Sequence, residues 1–255
     1  MVDGVPGKPF SALGIIPARY KSSRFPGKTL TLINGIPMIK RTFLQASKSD
    51  QLDKLIVATD DLRISDYCNS ENIPVVMTSD DCLTGTDRLA EVVEMDAYNN
   101  FDIYINIQGD EPVIDPLAIK QIVDLYQNYP EGYMAYNLYK IITDLNEINS
   151  NTIIKVIVNE NDDLLYMSRL PVPYSNSDKK SIYKQQIPVY GYTKKALKLF
   201  SNSNKTINEQ FEDIELLRFI DLGHKIKMKE TIVMSVSVDV PTDLKKIENI
   251  LTNVK

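Results

Sequence analysis

The chain has 255 residues, 43% hydrophobic and 25% charged, with two cysteines and no tryptophan. That length and balance fit one generous α/β domain and exclude disordered, collagen-like and disulfide-stapled classes. Thirty-four acids against 29 bases give a net charge of −5; this is the wrong sign for gripping nucleic acid through its phosphates, so no nucleic-acid partner is expected and an anionic ligand must be met locally.

No segment approaches the ~20 apolar residues of a membrane span, and the start, MVDGVPGKPFSALG, has neither a basic leader region nor a long apolar one. A cytoplasmic protein with no membrane partner is expected. Cys68 and Cys82 lack metal-ligand spacing and read as buried or neutral thiols.

Short apolar runs at Leu13–Ile16, Lys54–Thr59, Ile73–Met77 and Asp102–Ile107 read as buried parallel strands. Between and after them, Met38–Lys48, Leu62–Glu71, Asp87–Asp96 and Pro116–Tyr129 carry helical apolar spacing, the last with an Asp115-Pro116 start. This β-α alternation predicts a doubly wound, mostly parallel sheet. From about residue 132 to 192 the rhythm changes. Strand-like pieces at Tyr133–Ile142, Ile153–Val158, Leu164–Met167 and Ile187–Tyr192 predict an antiparallel excursion. Helices at Lys194–Ser201 and Glu209–Leu222, a strand at Val233–Val238 and a last helix from Thr242 complete the chain. The expected organisation is an N-terminal extension, 1–13, and a single domain, 14–255.

Ligands of such sheets bind outside the carboxyl ends of the strands. The loop after the first strand, Pro17-Ala-Arg-Tyr-Lys-Ser-Ser-Arg-Phe-Pro-Gly-Lys28, gathers Arg19, Lys21, Arg24 and Lys28 without one acid. Arginine forks and lysine point charges suit a triphosphate, with serines such as Ser22 and main-chain N–H groups completing the shell; a solvated basic loop is the plainer alternative. Gly27-Lys28-Thr29 imitates the end of a P-loop, but Ser22 stands where that motif needs glycine. A dinucleotide fingerprint is also missing after the first strand. After the fourth strand, Asp110 and Glu111 can offer oxygen to a hard divalent cation. Neighbouring side chains on extended backbone diverge, so at most one should face it. Asp239 ends the expected late strand, where helix capping alone would explain it. A basic loop and a metal at one sheet edge describe nucleotidyl transfer.

The segments IPARYKSSRFPGK, TGTDRLAEV (84–92), INIQGDEP and VDVPTDL, in this order and spacing, resemble the 3-deoxy-manno-octulosonate cytidylyltransferase (CMP-Kdo synthetase) family. The resemblance runs on through residues 153–174 and IPVYGY at 187–192. It implies the nucleotide-diphospho-sugar transferase fold, commonly a homodimer; the excursion, with Tyr133, Tyr136 and Tyr139, is the expected dimer contact because exposed apolar strands otherwise invite aggregation. It also implies Mg²⁺-dependent transfer of CMP from CTP to the anomeric hydroxyl of an octulosonic acid, feeding lipopolysaccharide or capsule. By motif, Arg19, Arg24 and Lys28 would hold the triphosphate, Thr84 to Arg88 the nucleotide, Asp110 and Asp239 the metal, and Gln108 the sugar. Arg19, Lys28 and Asp110 would be the catalytic groups.

Two departures fall on the acceptor side. Gln186 stands where the family commonly has histidine, and the common Leu-Glu-Gln-Leu-Arg segment reads Ile-Glu-Leu-Leu-Arg at 214–218, preceded by Glu212. Gln186, Tyr190, Glu212 and Glu215 are therefore candidate sugar contacts, with Arg169 or Lys155 for the sugar carboxylate, and the expected acceptor is 3-deoxy-manno-octulosonate or a close analogue such as an 8-amino form. His224, the single histidine, reads as the turn after a helix. Rival readings are a cytidylyltransferase for a nine-carbon sialic-acid-like sugar and a catalytically silent nucleotide-binding homologue.

Overall fold

The computed structural model describes residues 10–22, 25–174 and 182–253; residues 1–9 of the expected extension, and Arg24, lie outside them. The chain opens with β1 (Ala12–Ala18), so Ala12 and Leu13 belong to the sheet. There follow a hairpin, β2 (Leu32–Ile33) and β3 (Ile36–Pro37), then α1 (Met38–Ala46), β4 (Lys54–Thr59), α2 (Leu62–Ser70), β5 (Val75–Met77), α3 (Gly85–Val92), β6 (Ile103–Ile107) and α4 (Pro116–Asn128). The excursion supplies β7 (Ala135–Ile142), α5 (Leu145–Asn149), β8 (Lys155–Val158), β9 (Leu164–Ser168) and β10 (Tyr183–Tyr192). The chain closes through α6 (Lys194–Ser201), α7 (Ile207–Glu212), α8 (Leu216–Asp221), β11 (Ile226–Glu230) and α9 (Leu244–Asn253).

The main sheet runs β11-β7-β10-β6-β1-β4-β5. Its neighbours are parallel except β10, which lies antiparallel between β6 and β7. The β8–β9 hairpin branches from β10. Alternation along β1 explains the two covered faces: Leu13 and Ile15 cluster with Leu89 of α3, Phe200 of α6 and Leu217 of α8. Ala12 and Ile16 cluster with Ile39 of α1, Ile64 of α2 and Ile119 of α4. A strand buried on both faces has to read as a continuous apolar run, which is why β1, β4 and β6 stand out in the sequence. In α4, Asp115 accepts the Leu117 N–H at 2.9 Å and Pro116 occupies the first turn.

Three expectations need correction. The segment 233–238 is extended but joins no sheet, because its main chain bonds to the β6 turn instead: the Val238 N–H donates to Asp110 O at 2.9 Å and the Val236 N–H to Glu111 Oε2 at 3.2 Å. The edge strand is β11, hidden in the sequence by its alternating lysines; Lys227 is buried there over the Tyr129 ring. The expected helix 209–222 is broken into α7 and α8 at Asp213, whose φ of 52° is left-handed. Tyr133, Tyr136 and Tyr139 are engaged within the protomer, their hydroxyls donating to Asp163, Tyr129 O and Asp162 at 2.8, 2.6 and 2.7 Å. Among the described residues no helix is long and apolar enough to cross a membrane.

Candidate active site

The carboxyl ends of β1 and β6 lie side by side, and their turns touch. A Cβ on Gly109 would fall 2.8 Å from Pro17 O, so only glycine lets the β6 turn cross so close to the end of β1. Because main chain cannot yield as a side-chain tip does, Gly109→Ala is expected to cost about 1–3 kcal/mol. It should also lower turnover more than the folded fraction accounts for, as parallel melting curves and rates would show. Unchanged kinetics would refute the close-contact argument.

Asp110 is held at both ends. Its carbonyl accepts the Val238 N–H, and its Oδ2 lies 2.5 Å from Lys28 Nζ, which also donates to Val238 O at 3.0 Å. The basic loop, the β6 turn and the late extended segment are thereby joined at one carboxylate. Two cavities meet there. The first, of about 440 Å³, is lined by Arg19, Ser22, Lys28, Thr84, Arg88 and Lys205 among others. The second, of about 280 Å³, is lined by Arg169, Gln186, Tyr190, Tyr192 and Leu216 among others. Gln108, Asp110, Asp213, Glu215 and Asp239 border both.

Of the residues expected to hold nucleotide, Arg19, Ser22, Lys28, Thr84, Gly85 and Arg88 reach one cavity, Thr86 and Asp87 do not line it, and Arg24 is outside the described residues. Their engagements differ. Arg88 is only 2% exposed, pairs with Asp60 at 3.2 Å and donates to Thr78 Oγ1, so its charge is already answered from behind the wall. Thr84 caps α3: its Oγ1 accepts the Asp87 N–H at 3.1 Å while Asp87 Oδ2 accepts the Thr84 N–H at 3.0 Å. Ser22 Oγ accepts the Phe25 N–H at 3.4 Å within the basic loop. The cap after Asp239 is provided by Asp243, whose Oδ2 accepts the N–H groups of Asp239 and Val240 at 3.0 and 3.1 Å.

On the acceptor side the picture is divided. Gln186 is buried and donates to the Tyr190 hydroxyl at 3.2 Å, and Tyr190 stacks on Tyr192 at 6.1 Å between centroids. Glu215 accepts the Thr86 N–H at 3.3 Å, and burial pushes its pKa above the usual carboxylate range. Glu212 does not line either cavity; it accepts from Ser168 Oγ at 2.7 Å and the Arg169 N–H at 2.8 Å. Arg169 does line the second cavity, but its guanidinium donates to the carbonyls of Glu212, Asn151 and Asp213 rather than forming an ion pair. Lys155 is fully buried with three carbonyl acceptors, Ser150, Ile153 and Arg169, each at 2.6–2.7 Å, and is structural. His224 sits in the turn after α8, as expected.

Glu111, beside Asp110, is 1% exposed, and burial followed by the charge of Asp110 raises its pKa to about 8. Sequence reasoning missed Asp60, a carboxylate directly after β4 and so at the expected edge. It also missed Lys205, which comes from the α6–α7 connection and had no local signal.

The family model described as Cytidylyltransferase matches residues 13–226. The 8-amino-3,8-dideoxy-manno-octulosonate cytidylyltransferase of Shewanella frigidimarina is 39% identical over 234 residues, 92% of this chain and 96% of that protein. Its counterpart in Shewanella amazonensis is 37% identical over 235 residues, 92% of this chain and 96% of that protein. Among solved structures, CMP:2-keto-3-deoxy-manno-octonic acid synthetase complexed with CTP superposes with a TM-score of 0.89 at 34% identity, covering 96% of this chain and 100% of that one. The inositol-1-phosphate CTP transferase of T. maritima shares the fold alone, at a TM-score of 0.64 and 17% identity, over 96% of each chain.

Proposed function

This chain belongs to the cytidylyltransferase family, and from that premise we propose that it transfers CMP from CTP to the anomeric hydroxyl of a 3-deoxy-manno-octulosonate, with the 8-amino sugar as preferred acceptor and pyrophosphate as the second product. The observation that carries the reading is the pair of cavities meeting at Asp110, Asp239 and Gln108. A nucleotide in the first and a sugar in the second bring the hydroxyl and the α-phosphate together at the shared border. Such positioning is the main service a protein renders to phosphoryl-type transfer.

Asp110 and Asp239 fit magnesium, because that ion takes one or two protein carboxylates and completes its shell with water and substrate phosphates. The described residues contain no group of three acidic, histidine or cysteine ligands, which such a shell does not require. Bound there, Mg²⁺ would neutralise charge on the phosphate oxygens as pyrophosphate departs. The chain's own residues do the rest: Arg19 and Lys28 hold the phosphates, the Thr84–Arg88 segment walls the nucleoside, and Lys28 keeps Asp110 oriented.

The acceptor cavity supports the amino sugar. Asp110, Asp213, Glu215 and Asp239 line it beside Glu111, whose raised pKa leaves it mostly uncharged near neutrality, against one arginine whose donors are engaged by carbonyls. An octulosonate carrying an ammonium group suits that balance better than a plain anion. Gln186 and Leu216, the two departures from the family pattern, both line this cavity. Pyrophosphate release with CTP and Mg²⁺ should favour 8-amino-Kdo over Kdo at least tenfold in kcat/KM. Equal rates would remove the acceptor preference, and silence with both sugars would remove the function. For assembly, a homodimer is proposed through exposed apolar residues of the excursion, among them Ile141, Leu165, Leu170 and Ile182.

A further inference from the structure

The basic loop of the nucleotide cavity carries its cations close together, and repulsion among them opposes any one loop shape. Tyr20 follows Arg19 yet does not line the cavity. Its ring instead lies under the guanidinium of Arg63, with 3.3 Å between the guanidinium carbon and the ring centroid. Arg63 is in turn fixed by Asp61 through two parallel bonds, Nε to Oδ1 at 2.9 Å and Nη2 to Oδ2 at 2.7 Å. Asp61 Oδ1 also accepts the Arg63 N–H at 3.0 Å and so caps α2.

The loop closes onto the same ring from its other end. The Gly27 N–H donates to Tyr20 O at 3.0 Å, and a Cβ on Gly27 would sit 3.0 Å from the ring carbon Cζ. Gly27 also has φ of +72°, so glycine is required there twice, once by conformation and once by the tyrosine. Beside the Gly27–Tyr20 bond, Thr29 Oγ1 donates to Arg19 O at 3.0 Å. Arg19 and Lys28, the cations among the described residues that line the cavity from this loop, are therefore the immediate neighbours of the two residues pressed together, Tyr20 and Gly27. The adjacent Asp60 holds Arg88 in the opposite part of the same cavity.

We infer that Tyr20 is a positioning residue for nucleotide binding, clamped by the Asp61–Arg63 pair so that the basic loop presents Arg19 and Lys28 to the phosphates. This rests on the nucleotide reading of the first cavity. Arg63 does not line that cavity either, so its contribution passes through the ring. The hydroxyl of Tyr20 has no part in the stack, and phenylalanine should replace it.

The test is CTP affinity by calorimetry, with steady-state KM for both substrates, on the wild type, Tyr20→Leu, Tyr20→Phe, Arg63→Ala and the Tyr20→Leu/Arg63→Ala double variant. Tyr20→Leu should weaken CTP about tenfold, below the ~100-fold that a 1 Å misplacement can cost, with acceptor KM and melting temperature nearly unchanged. Tyr20→Phe should bind within twofold of wild type, and the double variant should be no weaker than Tyr20→Leu alone, since both changes break one clamp. CTP binding by Tyr20→Leu within twofold of wild type, additive losses in the double variant, or a parallel rise in acceptor KM would each overturn the inference. A wild type that binds no CTP would overturn the nucleotide reading beneath it.

Discussion

Asp110→Asn is expected to lower the rate of CMP transfer by about 10²–10³-fold, the range found when one preorganised electrostatic group is removed from a site. The change keeps size and keeps the main-chain bond from the Val238 N–H to Asp110 O, so the β6 turn should hold its course. What goes is the negative charge at the border of both cavities. With it goes the charged partner that Lys28 Nζ has at 2.5 Å, leaving that lysine Val238 O and a neutral amide on this side. Charge at Asp110 serves both the cation that would sit between protein and phosphates and the lysine that meets those phosphates, so both substrate binding and turnover should suffer. The check is pyrophosphate release at saturating CTP and acceptor, alongside a melting curve. A rate within tenfold of wild type in a folded variant would remove Asp110 from the catalytic machinery.

How much of this was legible follows from the chemistry of particular residues. β1, β4 and β6 announced themselves because burial on both faces forces continuous apolar runs, and α4 because its cap, Asp115, followed by Pro116, is a local signal. β11 was invisible because Lys227 and Lys229 break the apolar pattern. Lys227 tolerates burial through partners distant in sequence: Asn161 O, the Asp163 carboxylate at 3.6 Å and the Tyr129 ring. The segment 233–238 looked like a strand from its valines, but a ladder depends on what lies alongside, and alongside lie Asp110 and Glu111 rather than a strand. At the site, Arg19, Asp110 and Asp239 could be named because each comes just after a strand or strand-like run, and Lys28 because it closes the acid-free basic loop that follows β1. Glu212 and Arg169 were placed with the sugar by residue type alone. Their engagement with each other's main chain is a tertiary fact that no spacing records.

The buried ion pair under the nucleotide cavity should be the largest single determinant of stability near the site. Glu209 borders that cavity, yet its carboxylate is taken by Arg218, with Nε to Oε2 and Nη2 to Oε1 both at 2.6 Å. The side chains are only 4% and 1% exposed. Arg218 also donates to the carbonyls of Phe200 and Ser203 at 2.7 and 3.0 Å and lies 3.5 Å over the Phe200 ring. It therefore ties α6, the α6–α7 connection, α7 and α8 together beneath the wall that carries Lys205. Removing one member leaves the other charged without a partner in low dielectric, which costs about 3–5 kcal/mol. For a chain of this size each kcal/mol moves the melting temperature by about 2–4 °C, so Arg218→Leu should melt roughly 10 °C below wild type. Replacing both members by apolar residues removes the stranded charge as well as the attraction, and is often neutral or better. The Glu209→Leu/Arg218→Leu double variant should consequently recover most of the loss. It should still bind CTP more weakly, because Ser203 O has lost its donor and the wall bearing Lys205 has lost its anchor. Thermal unfolding and CTP titration of the single and double variants test this. A single variant melting within 2 °C of wild type, or a double variant less stable than either single one, would show that the pair does not govern this region.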